Sequence, residues 1–408
     1  MKIATVVANF PKISEKFILD EITGLLDLGH SVTLHALSRS TETVMHREIE
    51  QYKLLEKHAC FCAIPKTRNS RLLGAVKIVL RYFLFYPREI LRCLNLKKYG
   101  GIYFALNNLF IVTHFLGKHY DIIHCHFGTT GKRCVFLKDI FPAKFVTTFH
   151  GYDISSYVRE EGQDCYQELF KKGDCFLAVS GYFKARLIQL GCPPEKAKLH
   201  YSGIKLSEFD NPRRQPNSNG KVRILTVGRL VEKKGIRYAL LAIEKLVRHH
   251  PNIEYMVIGD GKLKLELQEL AQSLNIQSHV LFLGALDQDE IKKHYRQSDI
   301  FVLPSITAES GDQEGIPNVI KEALATGLPV IATRHAGIPE LIRDHETGFL
   351  VDEKDSQALG ERLQYLIEHP PARESMSQKG REIVAELFDF QKLNLKLEHI
   401  YQDLLTPN

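Results

Sequence analysis

Residues 304–333 read PSITAESGDQEGIPNVIKEALATGLPVIAT, and the way this run divides decides the architecture. An apolar strand closes at Pro304, a polar loop follows, a helix is predicted to begin near Gly315 or Ile316, and another strand opens at Pro329. Strand, loop, helix and strand in so short a run is the unit of a parallel α/β sheet, whose ligand crevice lies at the strand ends. A helix start presents unpaired backbone N–H groups and the positive end of its dipole, so an anionic diphosphate is stabilised beside Gly315, Ile316 and Asn318. Pro317 has no N–H to lose and is tolerated in the first turn. Glu314 and Glu322 stand eight positions apart, which along a helix is a rise of about 12 Å and a net rotation of about 80°. That matches the span from a sugar to a ribose across a diphosphate. Carboxylates only accept hydrogen bonds and suit vicinal hydroxyls, so one of the two glutamates is expected on hydroxyls of the transferred sugar and the other on the ribose.

The same pattern extends outward. Residues 222–227 read as a strand, followed by the GRLVEKKG loop at 228–235 and a helix from about 236 to 249. Further strands are expected at 254–258, 280–283, 300–303, 329–332 and 348–351, then helical segments over 355–368 and from Arg373 to the end. The first half begins alike: a strand at 3–8, then Phe17, Ile18, Ile22, Leu25 and Leu26 on one helical face stopped at Gly29. Strands follow at 31–37, 122–126, 145–149 and 175–179. Between the halves, residues 211–220 are rich in Pro and Asn and keep neither period. The expected fold is α/β, with two Rossmann-like domains over 1–210 and 220–385 and a C-terminal helix, 386–408, returning to the first domain.

Two further segments supply chemistry. VGRLVEKKG places Arg229 and Lys234 on the loop after the first strand of the second domain, where both can reach a diphosphate, and Lys233 reads as solvated. Departure of a nucleoside diphosphate develops negative charge, which preorganised cations offset. TTFHGYD puts His150 at a strand end with Gly151 behind it, facing the cleft. Gly259 and Gly261 of IGDGK are expected to let a nucleotide approach the backbone, no GxGxxG being present. Gly228, Leu286 and Val319 complete the donor-binding set.

The E-x7-E spacing, the EGIPN helix start and EALATGLPVIAT strongly resemble glycosyltransferase family 4, retaining enzymes of the GT-B fold. The resemblance spans nearly the whole chain and is most specific in the second domain. It implies that Arg229 and Lys234 are the family's R-x4-K pair and that His150, the histidine of the HG motif, contacts hydroxyls of the donor sugar. It also implies retention of configuration by a front-side substitution, in which the leaving phosphate assists the acceptor hydroxyl. The first loop, ANFPKISEK, lacks the glycine pair of many members; with its FPxxSE pattern and HFG at 126–128 it looks like the bacterial exopolysaccharide branch. Within that branch the chain resembles the colanic-acid type, including the cyanobacterial heterocyst-envelope polysaccharide glycosyltransferases. Asn9, Phe10, Ser14, Glu15 and His126 are accordingly expected to bind acceptor. The donor expected is UDP-glucose or UDP-galactose, with GDP-mannose the main rival and a nucleotide-sugar epimerase of the same fold the alternative activity. The acceptor expected is a lipid-linked or free oligosaccharide.

Composition narrows the partners. A net charge of +6 over 408 residues is too small to imply nucleic acid. Eight cysteines contain no CxxC pair, so neither a zinc knuckle nor a disulfide framework is expected, and a reducing, cytoplasmic setting fits. No signal peptide or membrane span is read. Asp287 and Asp289 form a DxD but precede a helix and read as caps. His124 and His126 point the same way along a strand, with no third ligand evident in the sequence. No metal and no cofactor are expected beyond the nucleotide-sugar co-substrate. From Lys66 to Lys98, nine Lys and Arg residues accompany the single acid Glu89 and a set of aromatic residues. Residues 71–94 are therefore expected to form a basic amphipathic helix, either covering the first domain or contacting an anionic membrane at the inner face of the plasma membrane.

Overall fold

The computed structural model describes residues 1–42, 45–62, 64–65, 67–95, 101–209 and 220–406. The Pro- and Asn-rich boundary, over 211–219, and both ends of the basic stretch, Lys66 and Lys98, lie outside the described residues. Every apolar run singled out above is a strand.

In the first domain, Lys2–Phe10 (β1), Ser31–Arg39 (β2), Ala59–Phe61 (β3), Ile122–His126 (β4), Lys144–Phe149 (β5), Cys175–Ala178 (β6) and Ala197–Leu199 (β7) make a parallel sheet in the order β3-β2-β1-β4-β5-β6-β7. In the second, Val222–Val227 (β8), Ile253–Ile258 (β9), Val280–Gly284 (β10), Ile300–Leu303 (β11), Val330–Thr333 (β12) and Gly348–Val351 (β13) run parallel in the order β10-β9-β8-β11-β12-β13. Both faces of the central strands are buried, which is why they read as unbroken apolar runs rather than alternating ones. β3 and β7 were not expected; three residues each are too few to show a period. Each order reverses once, between β1 and β4 and between β8 and β11. Ligands of open parallel sheets bind at that reversal. The loops leaving β8 and β11 are GRLVEKKG and the polar run after Pro304.

The helical stretch expected from Arg373 onward is divided in two near the start expected for the returning helix. Pro370–Leu387 lies on the second domain, and Phe390–Leu405 is a separate helix packed on the first. The break is held open by the inter-domain connector: Ile204 N–H donates to the Phe388 carbonyl (2.9 Å) and Phe390 N–H to the Ile204 carbonyl (3.1 Å). Asp389 then caps the last helix by accepting from Lys392 N–H at 2.9 Å. Leu397, Ile400 and Tyr401 are buried with Ile18, Ile22 and Leu25 of the helix Lys16–Asp27. The two helices approach so closely that a Cβ on Gly24 would lie 2.3 Å from Asn394.

Residues 71–94 form two helices, Arg68–Tyr82 and Pro87–Cys93, rather than one. Ala75, Ile90 and Cys93 face the core, whereas Leu80, Leu84 and Phe85 are 75%, 84% and 75% exposed.

The loops after β8 and β11 are locked together by backbone contact. Gly235 ends the short turn Glu232–Lys234 at φ +63, and a Cβ there would lie 1.8 Å from the Pro304 carbonyl oxygen. Gly235→Ala is therefore expected to destabilise the protein by about 2–4 kcal/mol, through left-handed strain and overlap with fixed backbone. Urea unfolding checks this; a midpoint equal to wild type would contradict the packing.

Candidate active site

The turn Glu232–Lys234 drives two lysines inward. Lys233 and Lys234 are each only 8% exposed, and both face Glu314 on the loop after β11. Lys234 Nζ stands 3.1 Å from Glu314 Oε1, Lys233 Nζ 3.7 Å from the same oxygen and 3.0 Å from Asp312 Oδ2. Lys233 is thus a buried partner of the acidic loop, not the solvated lysine expected. Burial alone would raise the Glu314 pKa, but the two ammonium groups outweigh it and hold the carboxyl at about 2. Arg229 is exposed at the same cleft and has no carboxylate partner among the described residues.

The backbone of Glu314 is fixed by residues the sequence did not single out. Its N–H donates to His335 Nε2 at 3.0 Å, and His335 Nδ1 lies 2.6 Å from Glu353 Oε1. Glu353 also accepts from Thr307 N–H at 2.8 Å, so one carboxylate ties down the other end of the loop. Acceptance by Nε2 assigns the proton of a neutral His335 to Nδ1. RHAGIPE, at the end of β12, carried no pattern that could have announced this.

The helix begins later than expected. Asn318–Thr326 is helical with Pro317 at its N-cap, so Glu314 lies on the preceding loop and the 12 Å helical rise does not relate the two glutamates. Glu322 is 8% exposed, raised by burial in its pKa, and accepts from the Tyr295 hydroxyl at 3.0 Å through Oε2. Oε1 makes no hydrogen bond among the described residues. Lys321, also buried, donates to the Ser202 carbonyl (2.6 Å) and Asn318 Oδ1 (2.9 Å), joining the helix start to the connector. Burial pulls its pKa down to about 7, with Glu322 opposing.

The first domain closes the site with His150 and Gly151. A Cβ on Gly151 would lie 3.1 Å from the Gln313 carbonyl, and one on Gly315 would lie 3.2 Å from the His150 carbonyl, so the HG and EG glycines let the two domains meet. Asp153, the last residue of HGYD, was missed; it accepts N–H bonds from Gly128 (2.7 Å), His150 (3.0 Å) and Gly151 (2.9 Å), binding the loops after β4 and β5 together. Glu340 of the second domain caps the helix Gly181–Gln189 of the first, accepting from Gly181 N–H (2.8 Å), Tyr182 N–H (3.0 Å) and the Tyr201 hydroxyl (3.0 Å).

Between the domains is a cleft of about 410 Å³. It brings together His150, Arg229, Lys234, Glu314, Gly315, Ile316, Pro317, Asn318 and Val319, with Ser14 and Glu15 of the first loop. Other expected site residues lie elsewhere. Phe10 is 6% exposed in the first-domain core, so its expected acceptor contact is corrected; Asn9 bonds to Ser38. His126 is fully buried behind His150 and cannot touch an acceptor. Gly259 and Gly261 admit protein backbone: a Cβ on Gly259 would lie 1.9 Å from the Gly228 carbonyl oxygen, and one on Gly261 2.5 Å from that of Leu230. Gly228 lies against the Lys234 side chain, and Leu286 packs half-buried on the second-domain core. Asp287 caps the helix Gln288–Gln297 in a capping box with Glu290, and Asp289 pairs with Arg47.

The third residue beside His124 and His126 is Glu21, from the first helix; one ligand atom from each lies within 4.8 Å of the others. Both nitrogens of His124 are engaged, with Thr148 Oγ1 and the Tyr401 hydroxyl, each at 2.7 Å. His124 is thus satisfied by hydrogen bonds, while Glu21 Oε1 stands within ion-pairing distance of both rings, 3.0 Å from His124 Nδ1 and 3.2 Å from His126 Nε2.

Residues 14–208 match the family described as Glycosyltransferase Family 4, and residues 208–383 the family described as Glycosyl transferases group 1. AmsK of Erwinia amylovora, an amylovoran biosynthesis glycosyltransferase, is 33% identical over 88% of this chain and 89% of its own length. WcaL of Salmonella typhimurium, attributed to colanic acid biosynthesis as a glycosyltransferase, is 32% identical over 99% of this chain and 100% of its own. Among solved structures, a glycosyltransferase of Rickettsia africae shares the fold with a TM-score of 0.73 at 20% identity, covering 100% of this chain and 99% of that one. Anabaena HepE, in complex with UDP and glucose, does so with a TM-score of 0.73 at 16% identity, over 99% and 100%.

The lysine cage makes a pH prediction. Glu314 is held at about 2 against an ordinary 4.5, so its stabilisation is complete above pH 4.5 and lost as pH falls toward 2. Glu314→Gln should therefore flatten the acid limb of stability in that window and leave the slope between pH 5 and 7 unchanged. Urea midpoints of both proteins from pH 2 to 7 check this, and parallel curves throughout would contradict it.

Proposed function

The chain belongs to the group 1 and family 4 glycosyltransferases of exopolysaccharide type, with the GT-B fold, and from that premise we propose that it transfers a hexose from UDP-glucose or UDP-galactose to a lipid-linked or oligosaccharide acceptor with retention. The observation that carries the donor site is Arg229, without a carboxylate partner among the described residues, beside the Lys234–Glu314 pair, at a cleft that includes the start of the helix Asn318–Thr326. A diphosphate placed there meets a free guanidinium, a lysine and backbone N–H groups. Glu314, ionised and fixed by His335, accepts from the sugar hydroxyls. Glu322 has Oε1 left to accept from the ribose.

In the reaction the acceptor oxygen bonds to the anomeric carbon on the face that the phosphate leaves. The C–O bond to the diphosphate breaks, and the acceptor proton passes to the departing phosphate oxygen. Arg229 and Lys234 offset the charge left on the diphosphate, the role a metal ion fills in other transferases. UDP in the HepE complex makes uracil the first base to test.

A thermal-shift panel of UDP-, GDP- and ADP-sugars, with turnover followed by mass spectrometry, tests the donor. UDP-glucose or UDP-galactose should shift the protein most, and Arg229→Ala should lower turnover on the order of 10²- to 10³-fold. A larger shift with GDP-mannose would overturn the base; no shift with any sugar, or wild-type turnover in Arg229→Ala, would overturn the site.

The acceptor's lipid sets where the enzyme works. No helix among the described residues is long and apolar enough to cross a membrane. Leu80, Leu84 and Phe85 instead stand out on the first domain beside exposed Lys77, Arg81 and Arg88. Apolar side chains that enter the headgroup region, rimmed by cations, suit an anionic membrane surface. Vesicles with anionic lipid should sediment the protein, and Leu80, Leu84 and Phe85 changed together to Ser should release it. Equal, negligible binding to anionic and neutral vesicles would end this assignment.

A further inference from the structure

Behind the sugar-facing histidine lies a chain of buried polar groups that the reaction as written does not use. His150 Nε2 is 3.2 Å from His126 Nδ1, and the two rings are stacked at 5.4 Å. His126 Nε2 is 3.2 Å from Glu21 Oε1, which also stands 3.0 Å from His124 Nδ1. His124 and His126 are completely buried, and His150 is held between the rings of Phe17 and Phe127, each 4.6 Å away.

We propose that Glu21 and His126 are positioning residues that fix the tautomer of His150, so that His150 presents a bare Nδ1 to the donor sugar and accepts a hydrogen bond from one of its hydroxyls. The inference rests on the reading above, in which His150 faces that sugar.

The proton count follows from the end of the chain. Glu21 Oε1 stands 3.2 Å from His126 Nε2 and 3.0 Å from His124 Nδ1, and a carboxylate only accepts. The nitrogen of His126 that faces it, Nε2, then carries the proton, and a ring with one proton has none on Nδ1. His150 Nε2 faces that bare nitrogen and must donate. Burial holds the His150 pKa well below its usual value, so its ring is neutral and has no second proton. Nδ1 is therefore a lone pair. It makes no hydrogen bond among the described residues and is not sealed from the cleft.

Neighbouring groups support this direction. Glu21 Oε1 beside His124 Nδ1 requires a proton there, leaving His124 Nε2 to accept from the Thr148 hydroxyl at 2.7 Å. The Tyr401 hydroxyl, 2.7 Å from His124 Nδ1, brings the C-terminal helix to the back of the same group. His200, also buried nearby, is lowered by burial to about 4 and adds no charge at neutral pH. A hydroxyl that donates to an aligned lone pair is recognised by direction, so a sugar lacking it at that carbon leaves the nitrogen unpaired.

The test combines a spectroscopic and a kinetic readout on the full chain. In ¹⁵N-histidine NMR, wild-type His150 should appear as the neutral Nε2–H tautomer, its Nδ1 resonance in the unprotonated range. Glu21→Gln keeps the shape but can donate as well as accept, so it should introduce the Nδ1–H tautomer. His126→Phe should lower kcat on the order of 10- to 100-fold, as loss of an orienting partner typically does, with the donor KM within about twofold. His126→Asn, whose Oδ1 can stand where Nδ1 stood, should recover most of that loss. An Nδ1–H or doubly protonated His150 in the wild type, or equal kcat in the Phe and Asn variants, would overturn the assignment. UDP thermal shifts measured on every variant separate this from failure of the donor site: a wild type that ignores UDP points to the latter.

Discussion

Glu314 is a carboxylate enclosed by protein between two lysines, and most of the site follows from keeping it ionised there. An uncompensated buried charge costs several kcal/mol, so removing either ammonium would leave the other groups in an untenable state. To supply both, the chain after β8 makes a tight turn that ends in a left-handed glycine, Gly235, pressed on the Pro304 carbonyl. To keep the carboxylate aimed, His335 holds its backbone N–H, and Glu353 holds both His335 and Thr307. With Glu314 satisfied by lysines, Arg229 is left without a carboxylate partner among the described residues, exposed at the mouth of the cleft.

The same loop is where the domains touch. Gly151 and Gly315 remove the side chains that would hold the two backbones apart, and Glu340 caps a helix of the opposite domain. Opening the cleft would therefore expose two unsatisfied helix N–H groups along with the site. The C-terminal helix returns to the first domain and reaches His124 through Tyr401, so the chain end braces the polar group behind His150.

The strands were legible because parallel strands covered on both faces are unbroken apolar runs. Edge strands of three residues were not, and neither was the break at Phe388 and Asp389, which depends on a connector distant in sequence. Glycine spacing was readable as a demand for close approach, but not as an identity of what approaches: at Gly259 and Gly261 it is the chain itself. Solvation was the least readable property. Lys233, Lys321 and Phe10 carry no local mark that separates a buried side chain from an exposed one.

Periodicity and motif spacing along the chain were enough for the two α/β domains and for the placement of Arg229, Lys234, Glu314 and His150 on loops at strand ends facing one cleft. These depend on local periodicity and on motif spacing, both of which are written along the chain. Only the tertiary structure decided that Glu314 precedes its helix, that His335, Glu353 and Asp153 hold the loops, and that Glu21 from the first helix reaches His126. Glu353 and His335 are 18 positions apart, Gly128 and Asp153 are 25, and Glu21 and His126 are 105. Which distant groups meet is set by how the sheets twist and the domains close, and no local pattern encodes that.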